Sequence, residues 1–263
     1  MTMINPSDAS TWPDDLNTCL SDHHGIFTQW HNRVDDQSDY PDEKHDAAII
    51  QARAFDSAIY ALSGALHPHS MRGFHCTRLT QHEISEIKNN GLALPNLAML
   101  HKRIRTLLEQ SEISAAVAER LMAINQADEQ YRKDRIWFCF YEPHLAGQGG
   151  IQDLLSLWGG EALYNSHDRD ETIGPILRRL GTPAVIEAEV PISSIRSVDS
   201  LSLLIAARYG TRRRDQNVSP SAFESCSMSP ISAQSVKAIV PFGDPEFLRL
   251  TACNEWTPPF VPK

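Results

Sequence analysis

One stretch of the chain decides the fold, residues 73–91, which read GFHCTRLTQHEISEIKNNG. Apolar and polar residues alternate over its first seven positions, as is typical of a β-strand with one buried face. Thr80 and Glu83 then have the spacing of a capping box, in which each side chain accepts a hydrogen bond from the other residue's backbone N–H. Gly91 can end a helix in the left-handed conformation. The stretch therefore predicts a strand followed directly by a capped helix over residues 81–90.

The rest of the chain mixes helical and extended patterns. The helices are expected at 46–66, 97–109, 114–132, 151–158 and 171–180, and the strands at 136–141, 184–190 and 236–242. Because the two kinds of element do not alternate as βαβ units, the sequence predicts an α+β fold. We expect the first of these helices to pack on the core through its alanine- and isoleucine-rich face, with Ile50 and Phe55 buried.

Acidic residues are concentrated near the N-terminus. The chain has 33 acidic and 24 basic residues, for a net charge of −9. Residues 1–60 hold eleven of the acids against three bases, so the remainder is close to neutral. This shift predicts an acidic, helical or irregular accessory segment over 1–70 and an α+β core over 71–263. The negative charge argues against broad binding to nucleic-acid phosphates, and we expect the run Arg212–Arg214 to be a solvated loop.

The cysteine spacing and the absence of common motifs exclude several classes of protein. The five cysteines are widely spaced and form no Cys-x-x-Cys pair, which argues against a zinc ribbon or a redox dithiol. No apolar run is long enough to span a bilayer, and the N-terminus lacks the pattern of a secretory signal. We therefore expect reduced thiols, a cytoplasmic location and no membrane partner. The sequence signatures of dinucleotide-binding folds, P-loop NTPases, zincins and α/β-hydrolases are absent. The histidines near Asp22–His24 are expected at the surface, and we expect no metal site there.

Three blocks of the sequence resemble the ADP-ribosyltransferase superfamily. In the first, a strand with His75 in a His-x-Thr setting precedes a helix that ends in Gly91-Leu92. In the second, residues 136–138 are similar to the family's aromatic strand, and Trp137, or alternatively the nearby Tyr141, corresponds to the position that is most often Tyr. In the third, Glu224 stands where the family has a Glu at a strand start, shortly before the segment that leads into the closing strand.

The resemblance implies a fold, a reaction and partners. It covers residues 71–242 and implies a central split antiparallel sheet surrounded by helices. The implied substrate is NAD, and the implied acceptor of ADP-ribose is a protein, a nucleic acid or a small molecule. The related RNA 2′-phosphotransferase chemistry would need more basic residues along the cleft than this near-neutral core offers. The alternative is a catalytically inactive domain of this type that serves as a binding module.

The same resemblance implies roles for individual residues. Cleavage of the nicotinamide–ribose bond passes through an oxocarbenium-like centre that a carboxylate stabilises, while an aromatic face holds the nicotinamide. The candidates are Glu224, Glu161 and His75 as catalytic residues, and His75, Arg78, Trp137, Tyr141 and Tyr164 as residues that bind NAD. Glu161 is the rival acid because it follows two glycines, which let a backbone approach a ligand closely. We expect these side chains to converge on one cleft, with His75 on a ribose and Arg78 on the pyrophosphate.

Overall fold

The computed structural model describes residues 2–6, 8–34, 45–212 and 223–262. Over these residues it contains eleven α-helices and an open, mainly antiparallel sheet of six strands, which confirms the α+β class. The chain divides into two units, one formed by Met1–Arg72 with Pro191–Phe223 and the other by Gly73–Val190 with Glu224–Lys263. The run at Arg213 and Arg214 lies outside the described residues. In the described parts of the chain, no helix combines the length and the apolar character needed to cross a bilayer.

The sheet is built around one long central strand. Its strands are β1 (Met3–Ile4), β2 (Ser70–Leu79), β3 (Ile136–Cys139), β4 (Thr182–Pro191), β5 (Glu224–Ser227) and β6 (Val236–Pro241). Their order is β5-β3-β2-β4-β6, and β1 pairs in parallel with the start of β2 outside that path. β3 runs antiparallel to both of its neighbours, and β6 runs antiparallel to β4. The central strand β2 therefore separates the β3–β5 edge from the β4–β6 edge.

The helices of the described residues include six that the sequence predicts and five that it does not. They are α1 (Asp14–Asp22), α2 (His24–Val34), α3 (His45–Leu66), α4 (Gln81–Asn90), α5 (Leu97–Glu109), α6 (Ala115–Ala123), α7 (Gly147–Ser156), α8 (Glu161–His167), α9 (Ile173–Arg179), α10 (Val198–Arg212) and α11 (Pro245–Thr251). The helix predicted over 114–132 ends at Ala123 instead. The Asn125 amide donates to the carbonyls of Leu121 and Met122, at 3.3 and 2.9 Å, and so replaces the helical hydrogen bonds there.

The predicted capping box forms as expected. The Thr80 amide donates to Glu83 Oε2 at 2.8 Å, and the Glu83 amide donates to Thr80 Oγ1 at 3.2 Å. Glu83 also accepts from Arg103 Nε at 2.5 Å and from Trp158 Nε1 at 3.0 Å. Burial raises the pKa of Glu83. The charge and hydrogen bond of Arg103 lower it by more than burial raises it, so the pKa of Glu83 lies below the usual value. One carboxylate therefore fixes the start of α4 to α5 and to the segment after α7.

The helix end at Gly91 also follows the prediction. Its φ is +79°, and a Cβ at this position would lie 2.0 Å from the backbone oxygen of Ile231. Leu92 and Ile231 form a two-way backbone bridge at 2.8 and 2.9 Å. Glycine is required here both for the left-handed conformation and for the close approach of the two backbones.

The first unit is mainly helical, and only one face of α3 is buried in it. Phe55, Leu62 and Leu66 on α3 are buried, whereas Ile50 is 69% exposed. The expectation that Ile50 is buried was wrong. At about 100° per residue, Ile50 lies about 140° around the helix from Phe55, outside the buried stripe. The apolar pattern predicted the helix correctly, but the buried face that it predicted is wider than the one observed.

Two apolar cores stabilise the second unit. The first is formed by α5, α6, α8 and α9 around the fully buried Trp158. The second lies between the sheet and the helices α7 and α11, where Phe74 and Cys76 of β2 contact Leu155 and Phe247. These cores hold β2 and the edge strands in place for the site described next.

Candidate functional site

The three strands that carry the predicted site residues are neighbours in the sheet. β3 pairs with β5 along its whole length, from Ile136 opposite Ser227 to Cys139 opposite Glu224. β3 pairs with β2 through Cys139 and Phe74. Phe74, Cys139 and Glu224 therefore lie in one row across the three strands, and Glu224 is the first residue of β5.

One face of the edge strands presents an indole and a carboxylate to solvent. Alternation along β3 puts Trp137 and Cys139 on one face and the buried Phe138 on the other. Because Cys139 is directly opposite Glu224, the Glu224 side chain lies on the same face as Trp137. Trp137 is 44% exposed, Glu224 is also exposed, and the indole Nε1 donates to the Tyr131 carbonyl at 3.3 Å. An aromatic surface and an acid therefore stand diagonally across the β3–β5 pair.

Tyr141 joins this face through its hydroxyl, which donates a hydrogen bond to Glu224 Oε1. The ring of Tyr141 is buried, so only its polar end reaches the acid. Burial first, and then the hydrogen bond to Glu224, raise the pKa of Tyr141 far above its usual value. The phenol therefore keeps its proton and holds the carboxylate in one orientation.

Cys139 lies beside the same pair and is a residue that the sequence analysis did not single out. Its side chain interacts with the Tyr141 hydroxyl. Burial, and then the negative charge of Glu224, raise the pKa of Cys139 to about 11, although the Tyr141 hydrogen bond lowers it in part. Cys139 is consequently a neutral thiol near pH 7 and not a thiolate nucleophile. The register of β3, with positions 137 and 139 on one face, is the signal that could have pointed to it.

Arg135 is a second residue that the sequence analysis missed. It precedes β3 by one position, and its guanidinium carbon lies 5.9 Å from the ring centroid of Tyr131. Its Nε and Nη1 are buried without a hydrogen-bond partner among the described residues. Two nitrogens of a cation, which together carry three N–H groups, thus lack a hydrogen-bond partner in the described part of the chain within two residues of Trp137.

His75 is fixed to the backbone of β3 rather than directed at Glu224. Its Nδ1 lies 2.9 Å from the Trp137 carbonyl oxygen, so Nδ1 carries the proton, and its ring packs edge-on against Phe138 at 6.0 Å. Burial, together with the nearby charge of Arg103, lowers the pKa of His75, while the Trp137 carbonyl raises it in part. Since Phe138 is on the face opposite Glu224, the expected convergence of His75 and Glu224 on one cleft is not what this geometry gives. The imidazole takes the place of a ladder hydrogen bond between β2 and β3.

Arg78 is buried and engaged by backbone carbonyls. Its Nε, Nη1 and Nη2 donate to the carbonyls of Leu180, Leu155 and Gly181 at 2.9, 3.3 and 2.9 Å. Burial lowers the pKa of Arg78 to about 10, so the guanidinium is charged near pH 7. Arg78 therefore joins the end of α7 to the start of β4, which is a different role from the expected contact with a pyrophosphate beside His75.

Glu161 and Tyr164 form a separate pair on α8. The Tyr164 hydroxyl donates to Glu161 Oε1 at 3.3 Å, and Arg132 Nε lies 3.4 Å from Glu161 Oε2. Burial, followed by the charge of Glu161, raises the pKa of Tyr164 to about 12. The preceding Gly159 has φ +91°, and a Cβ there would lie 2.4 Å from Leu163, so this glycine serves local packing. Among the residues that the structure describes, Glu161 is held by Tyr164 and Arg132 and Glu224 by Tyr141, so the two acids share no polar partner.

The chain was compared with models of protein families, with curated proteins and with solved structures, and none of the three comparisons finds a match. The geometry of the β3–β5 face therefore carries the functional argument.

Proposed function

We propose that the protein is an ADP-ribosyltransferase that uses NAD as substrate and Glu224 as its catalytic carboxylate. The observation that carries the proposal is the hydrogen bond from Tyr141 to Glu224 on the strand face that exposes Trp137. An aromatic surface, an oriented acid and an available guanidinium are the groups that cleavage of a nicotinamide–ribose bond requires. The neighbouring positions of β2, β3 and β5 support the resemblance to the split sheet of that superfamily.

The proposed reaction assigns a role to each group on this face. Trp137 stacks on the nicotinamide, and the unpartnered N–H groups of Arg135 pair with the pyrophosphate. The C1′–N bond breaks with its electron pair leaving on nicotinamide, and the Glu224 carboxylate stabilises the positive ribosyl centre. The acceptor's oxygen or nitrogen then bonds to C1′ and gives its proton to Glu224. Tyr141 orients the carboxylate through both steps.

His75 acts in this proposal as a positioning residue. Its Nδ1–H holds the Trp137 carbonyl and so sets the separation of β2 and β3 beside the stacking residue. The lowered pKa of His75 favours the neutral imidazole. With its proton on Nδ1, this form donates to the Trp137 carbonyl and leaves Nε2 unprotonated.

A binding module without turnover is the second candidate. The observation that favours it is that the His75 ring packs on Phe138, away from the face of Glu224. Such a module would keep the stacking surface and bind NAD or a nucleotide without cleaving it. The five cysteines form no disulfide, which supports the further proposal of a reducing, cytoplasmic setting for either function.

The test separates binding from turnover. Calorimetric titration with NAD should give a Kd in the low-millimolar range or below, and Trp137→Ala and Arg135→Ala should each weaken binding about tenfold. Tyr60→Ala and Arg105→Ala are matched controls, since both side chains are exposed elsewhere. Nicotinamide release with a cell extract as the source of acceptors supports the transferase. Binding without release supports a module that binds NAD, whereas no binding contradicts the transferase and favours an interaction module that does not recognise NAD.

A further inference from the structure

A cavity of about 180 Å³ lies within the second unit. Its lining residues are Arg78, Gln152, Ser156, Arg178, Trp256 and the run 258–262. One wall is therefore polar and supplied by β2, α7 and α9, and the other is apolar and supplied by the C-terminal segment. The proposed transferase site uses none of these residues.

The cavity contains a buried cation without an anionic partner. Arg78 is 1% exposed, and its three hydrogen-bond partners are neutral carbonyls. No carboxylate forms an ion pair with Arg78 among the residues that the structure describes. The second cation, Arg178, is by contrast paired with Asp168. Because a buried charge without a counter-charge is unfavourable, the site favours a negatively charged ligand.

The donors around the cavity can hold such a ligand. A guanidinium has five N–H groups, of which Arg78 uses three, so one N–H remains on each of Nη1 and Nη2. Gln152 Oε1 accepts from Gln148 at 2.7 Å, which leaves the Gln152 amide N–H groups to donate into the cavity. Ser156, which carries a hydroxyl, lines the same wall. Donors from a guanidinium, an amide and a hydroxyl match an acceptor with several oxygens.

We propose that this cavity, the Arg78 pocket, binds a small oxyanion of the phosphate class. Phosphate, sulfate and a compact phosphate monoester share the charge and the acceptor oxygens that the pocket requires. The rings of Trp256 and Phe260, which pack edge-on at 5.5 Å, leave an apolar wall against which the organic part of an ester can lie. A bound anion would join β2 and α7 to the C-terminal segment.

The test uses the full chain and three probes. Inorganic phosphate, sulfate and phenyl phosphate are titrated at constant ionic strength, with chloride as the reference anion, and the melting temperature and calorimetric Kd are measured. Binding of phosphate or sulfate supports a free anion as ligand, and binding of phenyl phosphate alone supports an ester. If none of them raises the melting temperature above the chloride reference, the proposal is overturned.

A matched pair of variants locates the site. Gln152→Glu changes little in shape and places a carboxylate beside Arg78, so it should weaken phosphate binding at least tenfold while the melting temperature without phosphate stays equal or rises. Gln81→Glu makes the same charge change at an exposed position on α4 and should bind phosphate as the wild type does. Unchanged phosphate binding in Gln152→Glu, or an equal loss in Gln81→Glu, would overturn the assignment. This pair leaves the carbonyl contacts of Arg78 in place and so avoids a variant that fails to fold.

Discussion

The Tyr141 hydroxyl donates a hydrogen bond to the Glu224 carboxylate and thereby joins the segment after β3 to the first residue of β5. Because the pKa of Tyr141 is raised by burial and by Glu224, the phenol stays protonated and the contact persists across the physiological pH range. The contact fixes an exposed acid on the face that carries Trp137. The proposed reaction depends on this orientation.

Removal of the Tyr141 hydroxyl should lower the rate of NAD cleavage with little effect on the fold. Tyr141→Phe leaves the ring in place and takes one hydrogen bond from the carboxylate, for which we expect about a tenfold lower kcat, or ~1.4 kcal/mol. Tyr164→Phe is the matched control, since Tyr164 donates to Glu161 in the same manner. Equal rates in the two variants would argue against a role for the Tyr141 contact.

The rate at which the Cys139 thiol is alkylated should depend on the charge of Glu224. Its pKa of about 11, raised by burial and by Glu224, predicts slow alkylation at pH 8 and a rate that rises steeply toward pH 11. Glu224→Gln removes the negative charge, so the pKa should fall and the rate at pH 9 should increase. Labelling of the Cys139 peptide with iodoacetamide, followed by mass spectrometry, measures this change. The same rate profile in both proteins would contradict the contact.

The raised pKa of Cys139 also predicts how stability changes with pH. The folded state holds this proton more tightly than the unfolded chain, whose thiol has the ordinary value of 9.0. The resulting stabilisation is therefore complete below about pH 9 and is lost as pH rises through about 11. Urea unfolding between pH 8 and 11 should show this loss, and Cys139→Ser should reduce it.

Glu83 should be the most important charged group for the stability of the second unit. Glu83→Gln leaves the partly buried Arg103 without its counter-charge, and we expect a cost of about 3 kcal/mol in urea unfolding. Glu86→Gln on the same helix is the control, because the exposed Glu86–Lys102 pair at 3.9 Å should contribute at most about 1 kcal/mol.

The direction of the Glu83 pKa shift adds a pH test to the same pair. Its pKa lies below the ordinary value of 4.5, so its contribution is present above that pH and is lost as pH falls through the folded-state pKa. The wild type should lose more stability than Glu83→Gln on acidification below pH 4.5. A parallel loss in both proteins would contradict the role of Glu83.

The first unit offers a test of which face of α3 is buried. Phe55→Asp should unfold the unit or cost at least about 3 kcal/mol, since Phe55 is 6% exposed. Ile50→Asp should change the free energy of unfolding by no more than about 0.5 kcal/mol, because Ile50 is at the surface. Circular dichroism melts of the two variants decide the point, and unfolding of Ile50→Asp would contradict the structure.

Local signals in the sequence predicted local structure well. The Thr80–Glu83 capping box and the Gly91 helix end depend on residues within one or two turns, and both form as predicted. The bounds of α5 likewise match those predicted from apolar spacing along one helix, and the structure adds the Asn96 side chain as its cap. Such features need no knowledge of distant parts of the chain.

The contacts that define the site depend on long-range pairing, which composition and periodicity do not encode. Arg78 is bound by carbonyls that lie 77 to 103 positions away, and this could not be read from its own strand. The position of His75 depends in the same way on the register between β2 and β3. Register sets which side chains share a face, and a shift of one residue would reverse it.

Release of nicotinamide from NAD by the wild type, Glu224→Gln and Glu161→Gln is the measurement that tests the proposal most directly. It is made with a cell extract as the source of acceptors, and melting temperatures verify that each variant is folded. We predict that Glu224→Gln loses at least about 100-fold in rate, because the carboxylate charge at the ribosyl centre is gone. Glu161→Gln should stay within about threefold of the wild type, since Glu161 lies on α8 and is held by Tyr164 and Arg132 rather than by Tyr141. Full activity of Glu224→Gln would contradict the assignment of Glu224, and so would a loss of activity in Glu161→Gln alone.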